Sequence, residues 1–448
     1  MPPNRKYNYP RQLSIVRFLF NAESIRKNPI PFHKKYFDAF GDTFSLKIGR
    51  TKHVILSRDN EVAQHILQKH HKNYQKSELQ TKFISKYLGH GLLTVNGDFW
   101  LKQRRMIQPA FHKQKMNQLV QNMQQTIANQ LRDLPEERPV ELFAEMNQLA
   151  FTVVAKSLFH LSDIEEKMDR LKIIISQVQE FLIKEIRVPY KSAWFKMTGQ
   201  IAKHQRLALE SDAIIHHIVT KRIQSGQKQN DLLDMLLETR YEDTGEAMST
   251  QQLIDEIKIL FIAGHETTAN ALTFTLQLLA NHPEIQQKIY DELQAIESET
   301  HDAIEQLQKM TYTNAAINES MRLYPPAWIT DRENIADDEL LGYPIRKNTL
   351  IGVSFYELHR NPKYWENPSD FVPERFLGGQ KKESLQYFYP FGAGPRMCIG
   401  FGFAMYEMAL VLSYIVKKYR ISSPNREIQF NPLITLKPVG AVVTFSKR

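Results

Sequence analysis

The stretch of sequence that decides the fold is Phe391-Gly-Ala-Gly-Pro-Arg-Met-Cys-Ile-Gly400, which contains the only cysteine of the chain, Cys398. A single thiol cannot form an intramolecular disulfide, and it cannot build a zinc or iron–sulfur site that needs several cysteines. It can serve as one axial ligand of a metal held by a cofactor. The apolar residues 403–412 predict a following helix, whose N-terminal N–H groups would favour the thiolate. A buried, inert cysteine is the alternative.

The spacing Phe-x-x-Gly-x-Arg-x-Cys-x-Gly is met at all its fixed positions, and it resembles the haem-ligand loop of the cytochrome P-450 family. The resemblance implies that Cys398 is the axial ligand of haem iron and that Phe391, Arg396 and Gly400 contact the haem. It also implies the fold of that family, which is mainly α with small β-sheets (α+β). In that fold, haem b is enclosed between a long central helix and the loop that carries the cysteine.

One long amphipathic segment, residues 250–282, predicts that central helix. Ser249 and Gln252 have the spacing of a capping box, and Pro283 would end the helix. In its middle, Ala263-Gly-His-Glu-Thr-Thr268 combines a glycine with an acid and hydroxyl groups, which would weaken the helix and favour a widened turn. The alternative is that these polar residues lie on the exposed surface of a helix, but the flanking segments 257–262 and 269–276 are too apolar for an exposed helix.

This segment is similar to the family's oxygen-activating motif, Ala/Gly-Gly-x-Asp/Glu-Thr-Thr/Ser. The resemblance implies that Thr267 hydrogen-bonds the dioxygen during its activation and that Glu266 relays protons to it through water. Ala263 precedes Thr267 by four residues, so both would project from one helix face toward the haem. Thr267 and Glu266 are therefore the candidate catalytic residues.

Further residues are expected to hold the cofactor. Trp100 and Arg104 match the family's Trp-x-x-x-Arg, and their spacing places both on one helix face, where each could meet a haem propionate. By position, Arg332 and Arg396 are additional propionate partners, since two buried carboxylates are costly to desolvate without positive charge.

A second set of residues is expected to be structural. Glu319 and Arg322, followed by Pro373-Glu-Arg-Phe376, resemble the family's Glu-x-x-Arg and Pro-Glu-Arg-Phe pair. The resemblance implies that Glu319, Arg322 and Arg375 form a buried network, and that this network fixes the loop carrying Cys398.

The length of the chain and the distribution of helix-like and strand-like segments along it predict a single domain over residues 1–448. Its β-containing portion would come from about residues 30–60 and 325–448, and its helical portion from about residues 60–325. Strands are predicted at 42–49, 53–57 and 349–355, with a strand–turn–strand unit within 432–445.

The net charge is +9, but the basic residues are dispersed among acidic ones along the sequence. This argues against nucleic acid binding and favours an acidic protein partner. Because no flavin or iron–sulfur segment is evident, we expect a separate ferredoxin or flavodoxin with its NAD(P)H reductase. The apolar piece at 13–20 is too short to span a membrane and contains Arg17, so a cytoplasmic location is expected.

The resemblance implies a monooxygenase that inserts one oxygen atom of O2 into a C–H bond of a hydrophobic small molecule, by hydroxylation or by oxidative O-demethylation. By position, its pocket would include Leu93, the hairpin 181–195 and residues 326–330. Residues 322–329 resemble bacterial carotenoid hydroxylases, and the long helix and cysteine loop resemble bacterial fatty-acid hydroxylases. Two alternatives stay open: a peroxide-driven haem peroxygenase, against which Glu266 and Thr267 speak, and a non-catalytic haem sensor.

Overall fold

The computed structural model describes residues 7–49, 52–160 and 165–448. The helices in these ranges are α1 (Ile15–Phe20), α2 (Ala22–Lys27), α3 (Ile30–Phe40), α4 (Asn60–Gln64), α5 (Ser85–Leu88), α6 (Gly97–Ile107), α7 (Lys113–Gln130), α8 (Leu142–Val153), α9 (Glu165–Arg187), α10 (Ser192–Met197), α11 (Gln200–Ser225), α12 (Leu232–Glu238), α13 (Thr250–Asn281), α14 (Pro283–Glu299), α15 (Ala303–Lys309), α16 (Thr311–Leu323), α17 (Phe355–Leu358), α18 (Gln380–Ser384) and α19 (Phe401–Lys418).

The strands are short and lie mostly toward the two ends of the sequence. They are β1 (Gln12–Leu13), β2 (Thr43–Ile48), β3 (Lys52–Ser57), β4 (Tyr74–Gln75), β5 (Pro139–Glu141), β6 (Ile329–Asn334), β7 (Asp338–Leu340), β8 (Tyr343–Ile345), β9 (Leu350–Ser354), β10 (Tyr419–Ser422), β11 (Gln429–Pro432), β12 (Leu436–Val439) and β13 (Val442–Lys447). The predicted class, mainly helical with small sheets, is confirmed. Three strands lie outside the predicted β-containing portions, namely β1, β4 and β5, because strands of two or three residues are too short to show an alternation.

The chain divides into two compact units. The first comprises the described residues within Met1–Ser77, Asn318–Cys398 and Phe430–Lys437. The second comprises those within Glu78–Ile317, Ile399–Gln429 and Pro438–Arg448.

The first unit is built on a six-stranded sheet with the order β1-β2-β3-β9-β6-β4. Strands β2 and β3 pair antiparallel, with Phe44 opposite Leu56, and β3 runs parallel to β9, with Ile55 opposite Ile351. Ile55 and Ile351 are completely buried, which makes this part of the sheet a core. The sheet therefore joins segments from both ends of the sequence, as the strand pattern predicted.

The second unit is organised around α13, which packs against α8, α11 and α19. With 32 residues, α13 extends about 48 Å. Its first turn is capped by Ser249, whose side chain accepts a hydrogen bond from the N–H of Gln252 at 3.2 Å. The other half of the predicted capping box is absent, because the Gln252 amide donates instead to the carbonyl of His90 and to Glu256. A three-stranded sheet, β10-β13-β5, completes this unit.

Among the described residues, no helix combines the length and apolar character that crossing a membrane requires.

Candidate active site

The loop around Cys398 is closed by its own backbone. The N–H of Cys398 donates to the carbonyl of Phe391 at 2.9 Å, and the N–H of Met397 donates to the carbonyl of Gly394 at 3.0 Å. The cysteine is exposed, and α19 begins three residues after it, at Phe401. The loop therefore presents its thiol to accessible space rather than burying it in a core, which contradicts the alternative of an inert buried cysteine.

Gly394 is required by the packing of this loop. Its φ is +68°, and a Cβ at this position would overlap the carbonyl oxygen of Leu67. Leu67 belongs to a short π-helical turn, His65–Lys69, in the same unit. Since the clash is with backbone, no side-chain rotation can relieve it, and only glycine fits.

The predicted network of Glu319 and Arg322 is present and completely buried. Arg322 donates from Nε and Nη2 to the two oxygens of Glu319, at 2.7 and 2.8 Å. Its remaining N–H groups donate to three backbone carbonyls, those of His359 and Pro368, both at 2.8 Å, and of Asp370, at 2.9 Å. A guanidinium has five N–H groups, so every donor is satisfied. The guanidinium of Arg322 thereby joins the backbone of His359, Pro368 and Asp370 to helix α16.

Arg375 joins the network more loosely. Its Nε donates to Glu319 at 3.3 Å, and its Nη2 donates to the carbonyl of Asn367 at 3.0 Å. The side chain of Arg375 is 14% exposed, whereas that of Glu319 is fully buried.

His359 connects this network to the cysteine loop. Its carbonyl accepts from Arg322, and its Nε2 accepts from the N–H of Tyr389 at 2.9 Å. Burial, together with the charges of Arg322 and Arg360, holds the pKa of His359 well below its ordinary value, so the ring is neutral and Nε2 is free to accept. Tyr389 lies two residues before Phe391, the residue that closes the loop. The sequence reasoning did not identify His359.

Two of the predicted propionate partners lie together in the first unit. Arg332 on β6 is 8% exposed, and its Nη1 donates to Thr330 and to the carbonyl of Asp331. Burial lowers the pKa of Arg332, and burial followed by repulsion from Arg332 lowers the pKa of Arg396 to about 10. A buried and a half-buried cation that repel each other fit a cofactor with two carboxylates, because each carboxylate would offset both the desolvation and the repulsion.

The other predicted cofactor contacts belong to the second unit. Trp100 and Arg104 both lie on α6, one turn apart, and Trp100 is 8% exposed. The Nε of Arg104 donates to Gln108 at 3.3 Å. Gly400 caps the N-terminus of α19, where its carbonyl accepts from the N–H of Ala404 at 2.9 Å.

The predicted catalytic motif is the accessible part of α13. From Leu253 to Leu279, all of it described, the residues that keep accessible surface are Ala263, Gly264, Glu266 and Thr267. Ala263 is the most exposed of them, and Thr267 lies one turn further on. Ala263 and Thr267 therefore share a face, as predicted.

The expected widened turn in this motif is wrong, since α13 continues as an α-helix through it. Thr267 and Thr268 donate their hydroxyls to the carbonyls of Ala263 and Gly264, at 2.7 and 2.9 Å, so the helix keeps its own acceptors occupied. Gly264 serves packing instead, because a Cβ there would lie 3.2 Å from Val154.

Glu266 is held by a residue that the sequence did not indicate. The Nε2 of Gln179, on α9, donates to its carboxylate at 2.7 Å. Gln179 is one of two glutamines on the amphipathic helix α9, and only the packing of α9 distinguishes it from Gln177.

The loop that carries Leu93 is fixed to α13 by two buried carboxylates. Asp255 accepts from the N–H of His90 at 2.7 Å, and Glu256 accepts from the N–H of Leu92 at 2.9 Å. Leu93 itself is 36% exposed. Glu256 lies two turns, about 10 Å, before Ala263 on the same face of α13, so this loop lies along the face that carries the accessible motif.

The aromatic residues expected to line the pocket at 181–195 are largely packed against each other. Phe181 and Phe195 are 3% and 7% exposed, with ring centroids 5.3 Å apart in an edge-to-face arrangement. His204 stacks on the other side of Phe181 at 4.0 Å. These residues therefore shape the junction of α9, α10 and α11 rather than offering open surface.

Comparison with known proteins identifies the family. The sequence profile described as cytochrome P450 matches residues 8–445. The chain is 28% identical over 421 residues to cyclooctat-9-en-7-ol 5-monooxygenase of Streptomyces melanosporofaciens, covering 94% of this chain and 91% of that protein. It is 30% identical to a cytokinin hydroxylase of Arabidopsis thaliana, covering 91% and 81%, and 27% identical to cytochrome P450 4V2 of Homo sapiens, covering 84% and 77%. On this evidence the chain belongs to the cytochrome P450 family of haem-iron monooxygenases.

Proposed function

We propose that this protein hydroxylates a hydrophobic small molecule, inserting one oxygen atom of O2 into a C–H bond while the other leaves as water. Oxidative O-demethylation begins with the same insertion, since a hydroxylated methyl ether collapses to an alcohol and formaldehyde. The electrons come from a separate ferredoxin or flavodoxin with its reductase, in the cytoplasm. The whole chain, residues 1–448, acts as one catalytic domain.

The observation that carries this proposal is the accessible stretch of α13. A helix buried for most of its length exposes the one segment, Ala263–Thr267, that combines a small residue, an acid and a hydroxyl. A binding protein or sensor has no need for a carboxylate and a hydroxyl at that place.

Cysteine and arginine side chains fit the haem that the family binds. Haem iron, when bound, supplies the binding and reduction of dioxygen. The residues that we propose would hold haem b are Trp100, Arg104, Ala263, Arg332, Phe391, Arg396 and Gly400, with Cys398 as the ligand of its iron. Support comes from the exposed thiol of Cys398 and from the mutual repulsion of Arg332 and Arg396.

Proton delivery is the role proposed for Glu266 and Thr267. The hydroxyl of Thr267 donates to the carbonyl of Ala263, so its oxygen lone pairs remain available to accept a hydrogen bond. Glu266, held by Gln179, can exchange protons with water at the same surface.

A hydrophobic substrate is supported by the exposed side chains near this motif, Leu93 and Ala263, both of which are apolar. The relatives are named for different substrates, among them cyclooctat-9-en-7-ol, cytokinin and echinocystic acid, so they favour the reaction class more than one molecule.

An acidic electron donor is supported by the charge of the protein, +9, and by Lys69 and Lys72. Both lysines are exposed at or beside the π-helical turn that contacts the cysteine loop. Complementary charge speeds the encounter of two proteins.

Adjacent threonines provide the test. Thr267→Ala removes the accessible hydroxyl, and Thr268→Ala removes a buried one that also bonds the preceding turn. With any substrate that shifts the haem spin state, Thr267→Ala is expected to lower the yield of product per electron by about tenfold or more, because proton transfer by a positioned group contributes at least that much. Thr268→Ala should leave the yield near that of the unaltered protein.

Equal yields in the two variants would contradict the role of Thr267. Turnover with hydrogen peroxide alone, at the rate reached with reduced ferredoxin, would favour a peroxygenase.

A further inference from the structure

Three side chains of types that can bind a metal lie together in the first unit, and Cys398 is not among them. His65, His70 and Asp338 each offer one ligand atom, and these atoms lie within 4.8 Å of one another. The Nε2 of His65 is 2.9 Å from Oδ2 of Asp338, and their side chains are only 17% and 13% exposed. Two imidazoles and one carboxylate are a common donor set for first-row transition metals.

The π-helical turn is what brings the two histidines together. The N–H of His70 donates to the carbonyl of His65 at 2.8 Å, a hydrogen bond between residues five apart. Their rings stack with centroids 4.0 Å apart and planes 5° from parallel. In an ordinary α-helix, residues five apart point about 140° away from each other. Single π-turns are often found at functional sites, because they re-aim side chains in this way.

The carboxylate of Asp338 is oriented by neighbours that do not themselves act as ligands. The hydroxyl of Tyr74 donates to its Oδ2 at 2.6 Å, and the N–H of Glu339 donates to its Oδ1 at 2.9 Å. Tyr74 is 2% exposed and therefore has little freedom to move. Hydrogen bonds of this kind to a ligating carboxylate are typical of metal sites, where they fix the ligand.

Access from solvent is open on one side. A cavity of about 450 Å³ borders His65, and its wall includes Lys69 and Leu340. His70 is exposed, so a hydrated ion can reach the cluster without unfolding any element.

We propose that His65, His70 and Asp338 bind one first-row transition-metal dication, with water completing its coordination. The stacked rings do not yet converge on one point, so the exposed His70 must rotate to aim a nitrogen at the ion. The metal then replaces the hydrogen bond between His65 and Asp338, and the proton of that bond is released to solvent.

The site would brace the turn against which the cysteine loop packs. Leu67 lies between the two histidines, and its carbonyl contacts Gly394. An ion that joins both ends of the turn to β7 would restrict its movement. The ligands of this site are distinct from Cys398.

Titration calorimetry tests the proposal, with Zn²⁺ alone added to the tag-free, haem-loaded protein. The expected result is one site per chain. Loss of even an orienting partner costs metal affinity about 10- to 100-fold, so His70→Ala and Asp338→Asn should each weaken binding by at least about tenfold. His71→Ala is the matched control, because this neighbouring histidine bonds the carbonyl of Gln68 and lies outside the cluster.

Because His70 is exposed, we expect His70→Ala to fold like the unaltered protein. Equal unfolding temperatures of the two proteins without metal would show this. Zinc should raise the unfolding temperature of the unaltered protein and of His71→Ala by more than that of His70→Ala. The proposal is overturned if fewer than one ion binds per chain, or if His70→Ala and His71→Ala bind zinc equally well. In that case the cluster is a hydrogen-bonded group without a metal.

Discussion

Replacement of Arg322 by lysine measures how far the buried network supports the cysteine loop. Arg322 makes five hydrogen bonds, two to Glu319 and three to backbone carbonyls. An ammonium group has three N–H donors. Oε1 of Glu319 keeps partners in any case, because it also accepts from the N–H of Val372 and from Arg375, so at least one of the other four acceptors is left unsatisfied. Each buried acceptor left unsatisfied costs about 1–3 kcal/mol, so the loss is at least about 1–3 kcal/mol. This is a considerable part of the about 5–15 kcal/mol by which a folded protein is stable.

The assay is urea unfolding followed by circular dichroism, together with the fraction of chains that retain haem. Arg322→Lys should lower both. Arg375→Lys is the matched control, since this side chain is partly exposed and its bond to Glu319 is longer, at 3.3 Å. Its loss should be smaller than that of Arg322→Lys, because the three N–H donors of lysine are enough for the two acceptors of Arg375, Glu319 and the carbonyl of Asn367. A loss below about 1 kcal/mol for Arg322→Lys, or equal losses for both variants, would refute the argument.

Two further predictions concern a buried acid and a glycine. Both carboxyl oxygens of Glu407 are buried without a hydrogen-bond partner in the part of the chain that the structure describes, and burial raises its pKa well above 4.5. The folded state keeps a proton that the unfolded state releases, so the stability of the unaltered protein should fall as pH rises above about 4.5. Glu407→Gln should therefore raise the unfolding temperature more at pH 8 than at pH 5. An equal change of unfolding temperature at both pH values would contradict this. Gly394→Ala should destabilise by more than the about 1–3 kcal/mol of backbone strain, because its Cβ also meets Leu67. Gly342→Ala, at φ +76° with no atom within 4 Å, should cost the strain alone, and equal losses would remove the role of close packing.

The features that the sequence predicts well depend on residues near one another in the chain. The long helix follows from one uninterrupted apolar segment, and its observed bounds, Thr250–Asn281, differ little from the predicted 250–282. The cysteine loop is a ten-residue pattern, and its closing hydrogen bond from Cys398 to Phe391 lies within it. Local pattern is sufficient for both.

The features that the sequence does not predict depend on distant packing. Glu256 has the appearance of a solvated acid on a helix, yet it is completely buried because the loop at Leu92 bonds to it from 164 residues away. The π-turn at His65–Lys69 has no signal in its composition. The widened turn at Thr267 was expected from glycine and hydroxyl content, but the hydroxyls satisfy carbonyls of their own helix and leave it regular. In each case a partner elsewhere, or the helix itself, decides what a side chain does.

The central claim is that the thiolate of Cys398 is the axial ligand of haem iron. The spectrum of the reduced, carbon-monoxide-bound protein tests it most directly. We predict the red-shifted Soret band of thiolate ligation in the unaltered protein, and its loss in Cys398→Ser. A histidine-type spectrum in the unaltered protein, or an unchanged red-shifted band in Cys398→Ser, would contradict the assignment.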